Sequence, residues 1–413
     1  MGFDWLTICA DSAATNCVQP IQLAYLIAVI VGAILFAVIA RRSRDLSTAT
    51  LTLMVVAIAI NIAVGSLISF LRLPIYLDSI GTVLVGALAG PWAGALTGLL
   101  ANLIWSILPV PGGAGPTAAF FAPVAAVIGL MAGFWASRGV FRLRSDDARI
   151  GGFLAIAFGI AAAGIALLVA QATIGLTIDF DSTDSQNRFV VIGLVIIAIG
   201  IAAGWLSRRT IFDLKGDDPR IRTYLVAATA ISAGVLIFAF VRLLIGPTGY
   251  FSTIDGVLDD GSPDGGANLT SLALSDPLGL IVALVIAVLI AVGITSWARR
   301  GDNARLFPVW VGGLTTGLVA AMISAPIAAG VFGGVTGGGT DALVALFRTL
   351  GLNVLQSAFA QGLTSDPLDK TISYTIVFVI LSALPITVRT MYSRGEDTVA
   401  SEAPVPGEQT VPA

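Results

Sequence analysis

The sequence predicts an all-α fold, a polytopic membrane helix bundle of about eleven transmembrane helices. Three observations predict it. Hydrophobic residues make up 56% of the 413-residue chain and charged residues only 11%, with a mean hydropathy of +0.94, whereas a soluble domain carries about 25% charged residues. Near-continuous apolar runs recur, most of them long enough to cross roughly 30 Å of hydrocarbon. No tract alternates apolar and polar residues as a barrel strand would.

The expected spans are 21–40, 49–71, 79–90, 92–109, 118–137, 151–175, 189–207, 222–246, 279–299, 306–330 and 371–388, of which the third and fourth are short. Residues 1–47 hold an N-terminal segment and a first span, with no basic n-region or small-residue cleavage site to suggest a cleaved signal peptide. Cys9 and Cys17 fall in that segment, as a disulfide or as two thiols.

Charge placement orients the spans. Of 22 Lys and Arg, 17 fall in alternate connections: Arg41, Arg42 and Arg44; Arg138, Arg142, Arg144 and Arg149; Arg208, Arg209, Lys215, Arg220 and Arg222; Arg299, Arg300 and Arg305; Arg389 and Arg394. The others are Arg72, Arg188, Arg242, Arg348 and Lys370. The positive-inside rule puts the 17 in the cytoplasm, the N-terminus outside and the C-terminus inside. The tail over 391–413 is rich in Pro, Glu, Ser and Thr and reads as disordered.

The segment from Leu73 to Trp105, LPIYLDSIGTVLVGALAGPWAGALTGLLANLIW, is the most informative. Asp78 stands in a turn, and Gly86, Gly90, Gly94 and Gly98 recur every fourth residue, so one side of a helix would admit another backbone. Pro91 interrupts the run. Asn102 lies within an apolar stretch, where an amide needs either a helix–helix partner or a functional cavity. Trp105 suits a cavity wall or an interfacial anchor.

Cytoplasmic connections echo one another: GFWASRGVFRLRSDDARI, GWLSRRTIFDLKGDDPRI and the shorter ITSWARRGDNARL. SDPLGL from Ser275 matches SDPLDK from Ser365. A two-helix unit repeated at about 151–207, 222–299 and 306–390 accounts for these strings. The interfacial preference of Trp and Arg is the alternative.

The third copy carries the richest chemistry. AGVFGGVTGGGTDA places Gly333, Gly334, Gly337, Gly338 and Gly339 beside Thr336, Thr340 and Asp341, leaving backbone groups free either for a ligand or simply as a flexible loop. No Gly-Lys-Ser/Thr follows, so it is not a phosphate-binding P-loop. Leu343, Leu346, Phe347, Leu350, Val354 and Ala358 then keep one face of an amphipathic helix, a lid or a surface helix. Asp366, Asp369 and Lys370 open the last span, either as site residues or as a solvated first turn.

The PIYLDSIGTVLVGALAGPWAGALTGLLANLI block, SAPIAAGVFGGVTGGGTD and DPLDKTISY resemble the substrate-binding S components of energy-coupling-factor vitamin transporters. Ala59 and Ala63 are similar to that family's A-x-x-x-A contact motif, on a face that meets the coupling subunit. The resemblance implies a six-helix core in two parts, 48–138 and 306–390, with an inserted four-helix block over 139–305. It implies a bacterial plasma-membrane protein that captures a vitamin-like molecule from outside, partnered by a coupling subunit and two ATPase subunits. Asp78, Asn102, Trp105, Gly333, Gly334, Thr336, Gly337, Gly338, Gly339, Thr340, Asp341 and Lys370 are the expected substrate-binding residues. Asp78 and Asp341 would accept donors, Asn102 orient the ligand and Trp105 stack on it.

The chain has no histidine and two cysteines, which removes His-based acid–base chemistry and the usual zinc or haem ligation. No enzyme activity, cofactor, metal or nucleic-acid partner is expected; membrane lipid is. The competing readings are an independent secondary transporter, which ionisable residues at mid-membrane would favour although nearly all charges here fall at the ends of the expected spans, and a non-transporting sensor or scaffold.

Overall fold

The computed structural model describes residues 46–110, 115–142, 149–174, 183–214, 306–349 and 352–399, with short pieces elsewhere that include 8–9, 17–18 and 223–228. Apart from a two-residue antiparallel ribbon, β1 (Ile8–Cys9) with β2 (Cys17–Val18), the regular elements among the described residues are helical. Cys9 and Cys17 stand opposite each other in that ribbon. The expected spans 21–40, 222–246 and 279–299 lie mostly outside the described residues, and with the last two most of the second copy of the repeat.

Helices follow as α1 (Thr48–Phe70), α2 (Ile80–Ala89), α3 (Pro91–Ile107), α4 (Thr117–Phe120), α5 (Ala122–Ser137), α6 (Ile150–Ile174) and α7 (Thr183–Thr210). After these come α8 (Leu306–Phe332), α9 (Asp341–Thr349), α10 (Val354–Ala383), α11 (Ile386–Arg389) and a 3₁₀ turn at Gly395–Thr398. Among them α1 (23 residues) and α8 (27 residues) are long and apolar enough to cross a membrane. Helix α10 is longer, 30 residues, but carries three charged residues in its middle.

The glycine spacing works differently from expectation. Gly90 adopts φ 95, a left-handed geometry, and Pro91 begins a new helix, so the four glycines do not share one helix face. They meet across helices instead. A Cβ on Gly94 would stand 2.7 Å from the Gly86 Cα, and one on Gly129 only 2.2 Å from the Gly94 carbonyl carbon. Gly98 and Gly133 are closed in the same way by Ala125 and Pro91. Helices α2, α3 and α5 therefore touch backbone to backbone, the approach that small residues permit.

Two further expectations are corrected. The single amphipathic helix after the Gly-rich loop is two helices. Asn353 restarts the chain with a capping box: its side chain accepts from the Gln356 N–H at 2.9 Å, and the Gln356 Oε1 accepts from the Asn353 N–H at 2.8 Å. Asp366, Asp369 and Lys370 consequently sit in the middle of α10, buried, rather than in a solvated first turn. The expectation for the tail is also corrected over 391–399, which form turns packed on the bundle, while 400–413 lie outside the described residues. The Arg394 N–H donates to the Leu88 carbonyl at 2.9 Å, and the Ser393 hydroxyl to the Ala89 carbonyl at 3.2 Å. These are carbonyls at the end of α2, where the break at Gly90–Pro91 leaves them without helical partners.

The core runs from α2 and α5 to α8 and α10 through Val83, Leu88, Ile128, Phe307, Val309, Tyr374 and Leu381. The α6–α7 hairpin joins it through Phe153, whose ring lies 5.8 Å from that of Trp135.

Candidate functional site: a buried charged cluster beside a cavity

Glycines on α8 position the charged stretch of α10. A Cβ on Gly313 would fall 2.5 Å from the Thr371 Cα, and one on Gly317 would fall 2.4 Å from the Pro367 Cα and 2.5 Å from the Asp366 carbonyl oxygen. Nothing but glycine fits there without moving a backbone. Pro367 lacks an N–H, which costs the helix one bond where the two helices are closest.

Opposite lies the connection between α1 and α2. Arg72 (φ 51) and Leu77 (φ 48) both hold left-handed backbone, a costly conformation for residues with a Cβ. Leu77 is held there by its own N–H, which donates to the Asp369 carboxylate at 2.7 Å. Asn61 on α1 fixes the start of α2: its side-chain oxygen accepts from the Gly81 N–H at 2.7 Å and its amide donates to the Thr82 hydroxyl at 2.8 Å. One of the orphan donors of a helix N-terminus is satisfied in this way, by a residue on a neighbouring helix.

Lys370 is the junction of the two walls. Its ammonium pairs with Asp369, donates to the Ser79 hydroxyl at 3.0 Å and reaches the Asp78 carboxylate at 3.4 Å. The Lys370 and Asp369 side chains are only 4% and 0% exposed. A charge so placed is tolerated only when paired and hydrogen-bonded. Asp366, one turn earlier, accepts from the Ser324 and Ser365 hydroxyls at 3.2 Å each and makes no ion pair within 4.0 Å among the described residues, so Lys370 reaches it only at longer range.

Beside this cluster is a cavity of about 110 Å³. Asp78, Asp366 and Lys370 line one side, Trp105, Phe121 and Tyr76 supply flat apolar surface, and Asn102 and Ser79 add polar groups. The Asn102 side chain is 95% buried by its 5% exposure, yet has no hydrogen-bond partner among the described residues. The Trp105 indole N–H is likewise buried without one.

The Gly-rich loop closes the cavity through Thr336, Gly337, Gly338 and Gly339. Asp341 shapes this loop rather than facing the cavity. It accepts from the Thr336 N–H (2.9 Å), the Thr336 hydroxyl (2.8 Å) and the Gly337 N–H (2.7 Å). Burial pushes its carboxyl above the usual range, and those three donors pull it back. Thr340 bonds the Tyr76 hydroxyl at 2.6 Å, locking the loop to the α1–α2 connection. Burial raises that phenol well above its ordinary value, so it stays protonated. Gly339 packs directly on the Arg72–Leu73 backbone, where a Cβ would meet the Leu73 carbonyl at 2.3 Å.

Of the expected site residues, Asp78, Asn102, Trp105, Thr336, Gly337, Gly338, Gly339 and Lys370 line the one cavity. Gly333, Gly334, Thr340 and Asp341 are not on its wall; the first two, at φ 61 and 87, turn the chain out of α8. Ala59 and Ala63 are exposed on the outer side of α1, in line with Val55 and Leu67. The sequence reading did not select Tyr76, Ser79, Phe121, Ser324 or Asp366. Asp366 carried a signal, since an acid beside a proline inside a long apolar-flanked helix is unusual; the aromatic and hydroxyl groups carried none. No protein-family model, curated protein or solved structure matches the chain.

Proposed function

We propose that this chain is a polytopic membrane protein of about eleven spans that captures a small organic molecule of the vitamin type from outside. It passes the molecule inward with a coupling subunit and two ATPase subunits supplied in trans. The observation that carries the reading is the cavity itself: regions about 230 residues apart, around Asp78–Trp105 and Thr336–Lys370, build one largely apolar chamber with convergent polar groups, the usual form of a small-molecule site. Asp78, Lys370 and Asn102 orient the ligand, Trp105 supplies a flat wall, and the Gly-rich loop covers the chamber. The exposed Ala59–Ala63 face of α1 is the surface for the coupling subunit.

Thermal unfolding of the purified chain against a panel of water-soluble vitamins tests this. A ligand that binds only the folded state at about 100 times its Kd stabilises by roughly 2.7 kcal/mol. One panel member is expected to give such a shift, and Asp78→Ala to reduce it. No shift from any vitamin would remove the capture reading.

A second reading is favoured by one observation: Asp366, Asp369 and Lys370 are buried midway along α10. Ionisable groups at such depth mark ion and proton paths in secondary transporters. Uptake into vesicles containing this chain alone, and into vesicles containing it with the coupling and ATPase subunits, separates the two: uptake only with the added subunits and ATP supports the first, and uptake by the chain alone driven by an ion gradient the second.

A further inference from the structure

The charged groups on the cavity wall do not balance. Asp78, Asp366 and Lys370 are the charged residues lining it among those described. Lys370 is not free to neutralise both acids, because its closest partner is Asp369, which sits behind the wall and is also held by the Leu77 N–H. Asp78 keeps only the longer 3.4 Å contact, and Asp366 has two hydroxyl donors at 3.2 Å and no ion pair within 4.0 Å among the described residues, Lys370 acting on it only from farther off. An ionised carboxylate buried in apolar surroundings without a counter-charge is costly, so the cavity is electrostatically incomplete as it stands.

A second, independent feature points to a ligand. The Asn102 amide lines the same cavity, is 95% buried by its 5% exposure, and has no hydrogen-bond partner among the described residues. Buried amides are normally satisfied. Between Asn102 and the acids the walls are the faces and edges of Trp105, Phe121 and Tyr76, which suit a flat ring and attract a cation. A bare metal ion would ask instead for several converging carboxylate or carbonyl oxygens, and no group of three or more His, Cys, Asp or Glu is gathered for one among the described residues.

We propose that the cavity takes a small planar organic cation, an amidinium or protonated N-heterocycle. Its charged head lies between Asp366 and Asp78, and its ring lies against the aromatic wall with a polar edge at Asn102. This rests on the reading of the cavity as a capture site and adds the charge and shape of what is captured.

Benzamidine, benzamide and benzoate share one shape and differ in charge, so they serve as probes for the full chain in detergent, followed by calorimetry and thermal unfolding. Benzamidine is expected to bind at least about tenfold more tightly than benzamide, the discrimination that one charged hydrogen bond supplies, and benzoate is expected not to bind. Asp366→Asn should lower the benzamidine-to-benzamide ratio about tenfold by removing that charge. Asp78→Asn, at a partly exposed position, should lower the ratio in the same direction even if the Asp366 variant fails to fold. Equal binding of benzamide and benzamidine, or a preference that survives both variants, overturns the cation. If that equal binding is weakened by Asn102→Ala, capture at this cavity still stands. Sodium or potassium chloride stabilising the chain through Asp366 while benzamidine does not would also overturn the organic cation. No binding of any probe at millimolar concentration removes both claims.

Discussion

Lys370 decides what the site tolerates. Removing it strands Asp369 at 0% exposure with only the Leu77 N–H for company, and breaking a buried pair from one side typically costs about 3–5 kcal/mol. Lys370→Met should therefore destabilise by about that much, read as a lowered unfolding midpoint in detergent. Replacing both partners, Lys370→Met with Asp369→Leu, should recover part of the loss, because no lone charge remains. A double variant as unstable as the sum of the singles would show that the pair does not act as a unit. Recovery should stay incomplete even so, since the left-handed Leu77 loses the carboxylate that accepts its N–H. Asp78, Asn102 and Trp105 were readable as candidates because a lone polar or bulky residue in an apolar run needs a reason. Tyr76, Phe121 and Ser324 were not, because aromatics and serines are ordinary in membrane-type sequence, and only their meeting around a cavity distinguishes them.

Among elements, the closest contacts are between backbones. A Cβ at Gly129 would be 2.2 Å from α3, whereas one at Gly152 on α6 would meet nothing within 4 Å. Gly129→Ala should destabilise by about 1–3 kcal/mol through overpacking. Gly152→Ala should be neutral or stabilise by up to about 1 kcal/mol through helix propensity and unfolded-state entropy. Equal shifts in the two unfolding midpoints would contradict the packing argument. Asn353→Ala should cost about 1 kcal/mol as a lost cap and fray the start of α10, visible as faster hydrogen exchange over 354–358. Helix existence was legible at this scale from apolar runs, and the break at Gly90–Pro91 from its two residues. The start of α10 was missed because the apolar pattern resumes only after Lys370, although the Asn353-x-x-Gln356 cap was present in the sequence. Pro367 and the charges around it looked like a helix boundary; Gly313 and Gly317 explain how they belong to the interior instead.

For the whole molecule, depth is the quantity that matters. Lys370 lies sixteen positions after Val354 and thirteen before Ala383 in α10, so at 1.5 Å per residue it is within a few ångströms of the helix midpoint. The Gly-rich loop is near one end of α8 and α10, and the hook at 393–398 is near the other end. On the proposed orientation, single cysteines introduced at Gly337 and at Ser393 in a variant without Cys9 and Cys17 should label from opposite sides of sealed cells with an impermeant maleimide. Labelling of both from the same side would refute the orientation. The all-helical character of the described residues was legible from the long apolar runs and the absence of strand-like alternation. The joining of 73–105 with 333–370 is expected only through the family resemblance, because spans adjacent in space leave no periodic trace when some 230 residues intervene.

The hook has a consequence for how the chain is made. The carbonyls that end α2 are completed by Ser393 and Arg394, with 304 positions between Ser393 and Ala89. A helix laid down earlier in synthesis therefore waits for residues 304 positions later before its end is closed. During that interval the growing chain carries an open helix terminus next to the backbone contacts of Gly86, Gly94 and Gly129. A chain cut before Ser393 would leave the Leu88 and Ala89 carbonyls without these two donors.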